Sequence, residues 1–179
     1  MTMLAFLAVV IAGSGGPVAG DGYFVSPDLP GFETAYQAGN ADAAISEQIP
    51  EGESVERWTR MVTTQRFTGL ARQTSASGYA EAVRGGLARG CPGARVTPIV
   101  NLRIDGRLAA RFRADCPRNP QTGLPEVFWF IAVPGPEDMH VKQVAFRRVP
   151  GAADAAWAEQ FIAALRWCER GSTVPECRI

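Results

Sequence analysis

Several residue types that usually carry chemistry are scarce in this 179-residue chain. It has one histidine, His140, and four cysteines, and no two of the cysteines stand in a CxxC pair. A structural zinc site needs several such ligands at close spacing, so the sequence predicts no metal site. A GxSxG nucleophile elbow, a phosphate-binding loop and a dinucleotide fingerprint are also missing, and we therefore expect no cofactor.

The first 56 residues contain eight acids and no lysine or arginine. From Arg57 onward, eighteen basic residues, seventeen of them arginine, stand against ten acids, so that the net charge is zero. One interpretation is a basic surface for an anionic partner such as a lipid headgroup. The interpretation that we favour is that the acidic N-terminal region lies beside the basic strands and neutralises them. A net charge of zero argues against nucleic acid as the partner.

Charged side chains are also absent from the first twenty residues. Residues 3–12 form an apolar run of the length of a signal-peptide core, which is too short to anchor a chain in a bilayer. Glycine and proline in residues 13–17 end any helix, and the small residues after them predict cleavage near Gly20, with Ala19 as the neighbouring choice. We expect a signal peptide over residues 1–20 and one exported domain over residues 21–179, periplasmic or secreted. The alternative is a buried N-terminal helix.

The four cysteines all lie in the predicted mature part, at Cys91, Cys116, Cys168 and Cys177. An even number of cysteines in an exported chain indicates two structural disulfides. Three pairings are possible. We favour Cys91 with Cys116 and Cys168 with Cys177, because both loops are then local.

Hydrophobic periodicity predicts an α+β fold, an antiparallel sheet of about five strands with helices packed against it, in the order ββααβββα. A hairpin is expected within residues 22–53, followed by helices over residues 54–65 and 77–89. Residues 126–133 are apolar without interruption, which is typical of a central strand covered on both faces. A final strand over residues 140–149 and a helix over residues 153–170 complete the order.

Residues 98–115 form the clearest hairpin pattern. Val100, Leu102 and Ile104 alternate on the first strand, as apolar residues do again on the second. A two-residue turn would send the two apolar sets to opposite faces, so the pattern favours a three-residue loop, Ile104 to Gly106. The other face would then carry an arginine stripe: Arg103, Arg107, Arg111 and Arg113. This stripe is a solvated surface, a layer covered by the acidic hairpin or a helix, or a ligand-binding anion site.

The segment of residues 52–67, GESVERWTRMVTTQRF, resembles the helix that follows the first hairpin in small exported bacterial proteins of the PsbP-like fold. The element order and the aromatic-rich strands also resemble that fold, which occurs in the photosystem II extrinsic subunit. The resemblance implies an α/β/α sandwich. It carries no functional residue over to this chain.

Two functions are compatible with these patterns. The first is a non-enzymatic binding module of the cell envelope, with a protein or an amphiphilic small molecule held in a groove. Trp58, Phe128, Phe130 and Trp157 are the aromatic residues expected to line that groove, and core packing is the alternative for them. The second is a hydrolase assembled around His140 from distant residues, with Asp138 and Glu137 near His140 in the sequence. For a glycosidase-like pair of carboxylates, Glu126 beside the apolar strand is the acid most expected to be perturbed by burial, and Asp115 is the next.

Overall fold

The computed structural model describes residues 22–169 and Cys177. The predicted signal peptide and its cleavage site lie outside the described residues, so both stay predictions. Within the described part, neither helix combines the length and the apolar character needed to cross a bilayer.

Ten strands, two α-helices and one short 3-10 helix, Leu70–Arg72, make up the described fold. The strands are β1 Gly22–Val25, β2 Phe32–Gly39, β3 Ala43–Pro50, β4 Arg60–Phe67, β5 Arg95–Val96, β6 Val100–Ile104, β7 Arg107–Cys116, β8 Glu126–Pro134, β9 Met139–Phe146 and β10 Arg166–Glu169, and the helices are α1 Ala76–Gly90 and α2 Ala152–Ala163. Eight strands form one antiparallel sheet in the order β2-β3-β4-β9-β8-β7-β5, with β6 also paired to β7. A separate two-stranded sheet joins β1 to β10.

The two helices pack on opposite faces of the large sheet. On the face that we call the α1 face, Ala76 and Ala80 of the helix share a core with Phe112 and Phe130 of the sheet. On the α2 face, Phe161 packs with a second core. All seven residues 127–133 of β8 are buried, because strand neighbours alternate between these two cores. The prediction of a central strand covered on both faces is confirmed.

The predicted helix over residues 54–65 is wrong, and the second half of that segment belongs to β4. Met61 is buried in the core of the α1 face, while its neighbour Val62 is buried in the core of the α2 face. A strand that is covered on both faces needs adjacent apolar residues that point to opposite faces. In this segment the same residues also fit the spacing of an apolar stripe along a helix. The Glu53 carboxylate accepts hydrogen bonds of 2.7 Å from the backbone N–H and the hydroxyl of Thr59, so it fixes the approach to β4. The order ββαα and the count of about five strands are corrected accordingly.

The predicted terminal helix is too long. The helix α2 ends at Ala163, and Arg166–Glu169 forms β10, in which Trp167 and Cys168 are buried. A strand is favoured there because β1 supplies backbone partners along its whole length. In contrast, α1 matches the helix expected over residues 77–89, and the Ser75 hydroxyl caps it by accepting from the Gly78 N–H at 3.1 Å.

The loop predicted over Ile104 to Gly106 is also wrong. Ile104 pairs directly with Arg107, and the two residues between them have positive φ, 47° at Asp105 and 87° at Gly106. This is the two-residue turn that twisted hairpins prefer. A two-residue turn is possible because both faces of the sheet are covered. Ile104 lies in the core of the α2 face, and Ala110, Phe112 and Ala114 of β7 lie in the core of the α1 face.

Both predicted disulfides are confirmed. Cys91 joins Cys116 with a Cα–Cα distance of 5.9 Å, which ties the end of α1 to the end of β7. Cys168 joins Cys177 with a Cα–Cα distance of 5.3 Å, which ties β10 to a residue nine positions further along the chain.

Candidate functional site

Three of the four candidate arginines lie on the α2 face, and each has a carboxylate partner. Arg107 pairs with Glu169, Arg111 with Glu159 at 3.7 Å, and Arg113 with Asp115 at 3.0 Å. Arg103 stands opposite Leu108 in the register and therefore points to the other face, so the expectation of one shared arginine stripe is wrong. That any of the four binds a ligand stays a prediction.

The partners of these arginines come from α2, β10 and β7 itself. The acidic hairpin β2–β3 is separated from β7 by three strands, so it does not cover them as expected. Eight of the ten acids after Arg57 form ion pairs with arginines of that same part of the chain. None of the described acids before Arg57 takes part in an ion pair formed within the described residues. Those acids are Asp28, Glu33, Asp42, Glu47, Glu51, Glu53 and Glu56. The charge asymmetry of the sequence therefore persists as an acidic edge of the sheet.

One of these acids, Glu47, is half-buried on the α1 face. Burial raises the pKa of its carboxyl, the nearby charge of Glu126 adds to the rise, and Arg147 opposes it. Arg147 lies over the ring of Trp58, 4.2 Å from its centre, which leaves one cation near two carboxylates. The sequence singled out Glu126, and in the structure the carboxyl whose pKa its charge helps to raise is that of Glu47. Nothing in the polar alternation of β3 marks Glu47 in advance.

The expected catalytic histidine is buried. His140 is 5% exposed, its ring contacts that of Trp167 at 4.8 Å, and β1 and β10 lie over this end of the α2 face. Asp138 binds Arg66 at 2.8 Å and accepts from the Gly69 N–H at 2.8 Å. Burial acts to raise the pKa of Asp138, but these hydrogen bonds and the charges of Arg66 and His140 together lower it. A hydrolase would need these groups to converge on an open cleft, and here His140 lies beneath the two-stranded sheet while Asp138 is held by Arg66 and Gly69.

The residue that sequence reasoning missed is Lys142, the single lysine of the chain. It lies on β9 beside His140, on the same face, and is 4% exposed. Its ammonium donates to the Thr64 hydroxyl at 2.5 Å and stands 5.9 Å from the ring centre of Phe24. Burial lowers the pKa of Lys142 to about 8. The signal that could have found it is a lone lysine within an apolar strand of a chain otherwise rich in arginine.

The four aromatic residues expected to line one groove are divided between the two cores. Trp58, Phe128 and Phe130 are buried in the core of the α1 face. Trp157 packs against the core of the α2 face, where it stacks on Phe32 with ring centres 6.1 Å apart. These side chains therefore pack the interior, as the alternative held. Among the described residues, no group of three or more metal-ligating side chains gathers at one point.

Comparison with solved structures shows a shared fold. The crystal structure of the Saccharomyces cerevisiae Ran-binding protein Mog1p superposes with a TM-score of 0.51 at 8% identity, covering 80% of this chain and 89% of that one. A mutant of the protein Mog1 superposes with a TM-score of 0.47 at 10% identity, covering 76% and 78%. No family model matches the chain, and no curated protein does. The similarity to Mog1p shows the fold alone, and the PsbP-like resemblance stays a prediction.

Proposed function

We propose that this protein is an exported, non-enzymatic binding module of the cell envelope whose partner is a protein that docks at the acidic hairpin edge. We define that edge as β2, β3 and the turns at their ends. The observation that carries the proposal is that the carboxylates of this edge form no ion pair within the described residues, whereas most acids elsewhere in the chain are paired with arginines. An edge of one sign favours a partner of the opposite sign, so we expect a basic segment.

The position of β2 supports the same interpretation. It is an eight-residue strand at the end of the strand order, so one side of its backbone has no partner in the sheet. Such an edge is a template on which an extended segment of another protein can pair. Mog1p, which has the same fold, is described as Ran-binding, so this fold is compatible with protein recognition. An amphiphilic small molecule is the alternative partner, but the aromatic residues expected to line its groove are divided between the two cores.

Export is supported by the signal-like pattern of the first twenty residues and by the two disulfides. Disulfides persist in oxidising compartments and are rare in a reducing cytosol. Of the described cysteines, none is free.

Site-specific photo-crosslinking in the cells that produce the protein tests the docking edge. A photoreactive amino acid replaces Thr34 on β2, and in the matched control it replaces Val100 on β6 at the opposite edge, which is 48% exposed. We expect a discrete protein adduct from Thr34 only. The double variant Asp42→Lys, Glu51→Lys should remove the adduct, because it reverses charge at both ends of the hairpin. Equal adducts from both edges, no adduct from Thr34, or an adduct insensitive to charge reversal would contradict the proposal.

A further inference from the structure

We propose that Lys142 anchors a binding site for a small carboxylate on the α2 face of the sheet. This site uses side chains on one face of the sheet, whereas the proposed docking uses the unpaired backbone and the acids of the hairpin edge; it takes a different class of ligand and does not depend on the proposed function. It is derived from the cross-strand register, the burial of Lys142 and the partners of its ammonium.

A row of polar side chains leads from solvent to Lys142. In the strand register Gln37 stands opposite Ser46, Ser46 opposite Thr64, and Thr64 opposite Lys142. Directly opposed residues project from the same face of a sheet, so the four side chains form one line across β2, β3, β4 and β9. Exposure decreases along it: Gln37 is exposed, Ser46 and Thr64 are half-buried, and Lys142 is buried. The line is therefore a row of polar side chains that runs from solvent to a buried cation.

The charge of Lys142 has no counter-ion within the described part of the chain. Its ammonium can donate three hydrogen bonds, and the hydroxyl of Thr64 and the ring of Phe24 are the partners that the structure gives it. With a pKa of about 8, it remains mostly protonated at neutral pH. A buried charge without a counter-ion is strongly unfavourable. An anion arriving along the row would therefore supply the counter-ion that the described residues do not give Lys142.

The surrounding charges select a carboxylate over a dianion. In the adjoining row Arg66 is already paired with Asp138, and the charge of His140 also acts on Asp138. Lys142 has no such carboxylate partner within the described residues, and a monoanion matches its single charge. The two oxygens of a carboxylate can accept from the ammonium and from the Thr64 hydroxyl together, and hydrogen bonds of this charge-assisted kind are the strong ones.

Because the chain has a single lysine, NMR of protein labelled with ¹³C at the lysine ε-carbon gives one resonance that reports on Lys142 alone. Acetate is titrated against the mature, disulfide-bonded protein, with sodium chloride and acetamide at matched concentration as references. We expect acetate alone to shift the resonance saturably and to raise the pKa of Lys142. Decanoate in a parallel titration separates the sources of the carboxylate. Binding equal to that of acetate indicates a small free acid, and tighter binding indicates an amphiphile.

Two neighbouring threonines give a matched pair of variants. Thr64→Val removes the hydroxyl beside the ammonium and should weaken acetate binding by about tenfold. Thr63→Val makes the same change on the opposite face and should leave it unchanged. Acetate binding should raise the thermal transition temperature of the wild-type protein. The variant Lys142→Met should fold, as judged by its own thermal transition, but acetate should no longer raise that temperature. The proposal is overturned if neither carboxylate shifts the resonance beyond the effect of chloride, or if the two threonine variants weaken binding equally.

Discussion

Replacing the buried lysine should stabilise the protein, contrary to the usual effect of a core substitution. The pKa of Lys142 falls from 10.5 to about 8 on folding. Each pKa unit corresponds to about 1.4 kcal/mol, so burial of the charge costs about 3 kcal/mol at pH 7. Lys142→Met removes this cost and forfeits the hydrogen bond to Thr64, which is worth about 1 kcal/mol. We expect a net gain of roughly 2 kcal/mol in the free energy of unfolding at pH 7.

The sign of the pH dependence distinguishes this cause from better packing. Between pH 8 and 10.5 the unfolded chain binds the lysine proton and the folded chain does not, so wild-type stability rises with pH over that window. The advantage of Lys142→Met should therefore decrease to near zero by pH 10. Burial raises the pKa of Tyr79 to about 12, which lowers stability at still higher pH, but this term is common to both proteins. Urea unfolding under non-reducing conditions at pH 7 and pH 10, without added carboxylate, measures the difference. A variant less stable than wild type at pH 7, or a difference that does not change with pH, would refute the reasoning.

Three further substitutions test the packing. Trp129→Ala should destabilise by about 3 to 5 kcal/mol in urea unfolding, because the side chain is 4% exposed in the central strand, and a loss below about 1 kcal/mol would count against that placement. Gly22→Ala should release β1, because the added Cβ would lie 2.3 Å from the Trp167 ring. Amide hydrogen exchange should accelerate in β1 and stay unchanged in β8. Unchanged protection of the β1 amides would contradict the close approach. Asp138→Asn should destabilise the protein at neutral pH and less so in acid. The lowered pKa of Asp138 means that its carboxylate contributes stability, which is lost as the pH falls through the pKa of the folded state. Equal destabilisation at both pH values would argue against this role of the carboxylate.

The parts of the fold that the sequence predicted are those that local pattern decides. The uninterrupted apolar run of β8, the capped helix α1 and the disulfides with local loops all depend on neighbours along the chain. The β4 strand was missed because Met61 and Val62 fit a helical stripe and a doubly covered strand equally well. Only the presence of a helix on each face of the sheet, which no local pattern shows, separates the two.

The candidate site was harder to predict for a similar reason. His140 attracted attention as the only histidine, yet the pairing of β1 with β10 buries it. The same pairing brings Phe24, near the described N-terminus, over Lys142 from a distant part of the chain. The acidic edge, in contrast, follows directly from the distribution of charge along the sequence. That its acids form no ion pairs within the described residues could not be predicted from the sequence, because the arginines could equally have paired with the acids of this edge.

Intact-mass spectrometry of the protein recovered from its producing cells tests the account of an exported, cross-linked module most directly. Protein from fractions outside the cytoplasm is treated with an alkylating reagent under non-reducing conditions, and its intact mass is then measured. We predict a mass that lacks the first twenty residues, gains no alkyl group, and gains four only after reduction. Recovery of the chain solely from the cytosol, with its apolar N-terminal run intact and its thiols alkylated without reduction, would contradict the account.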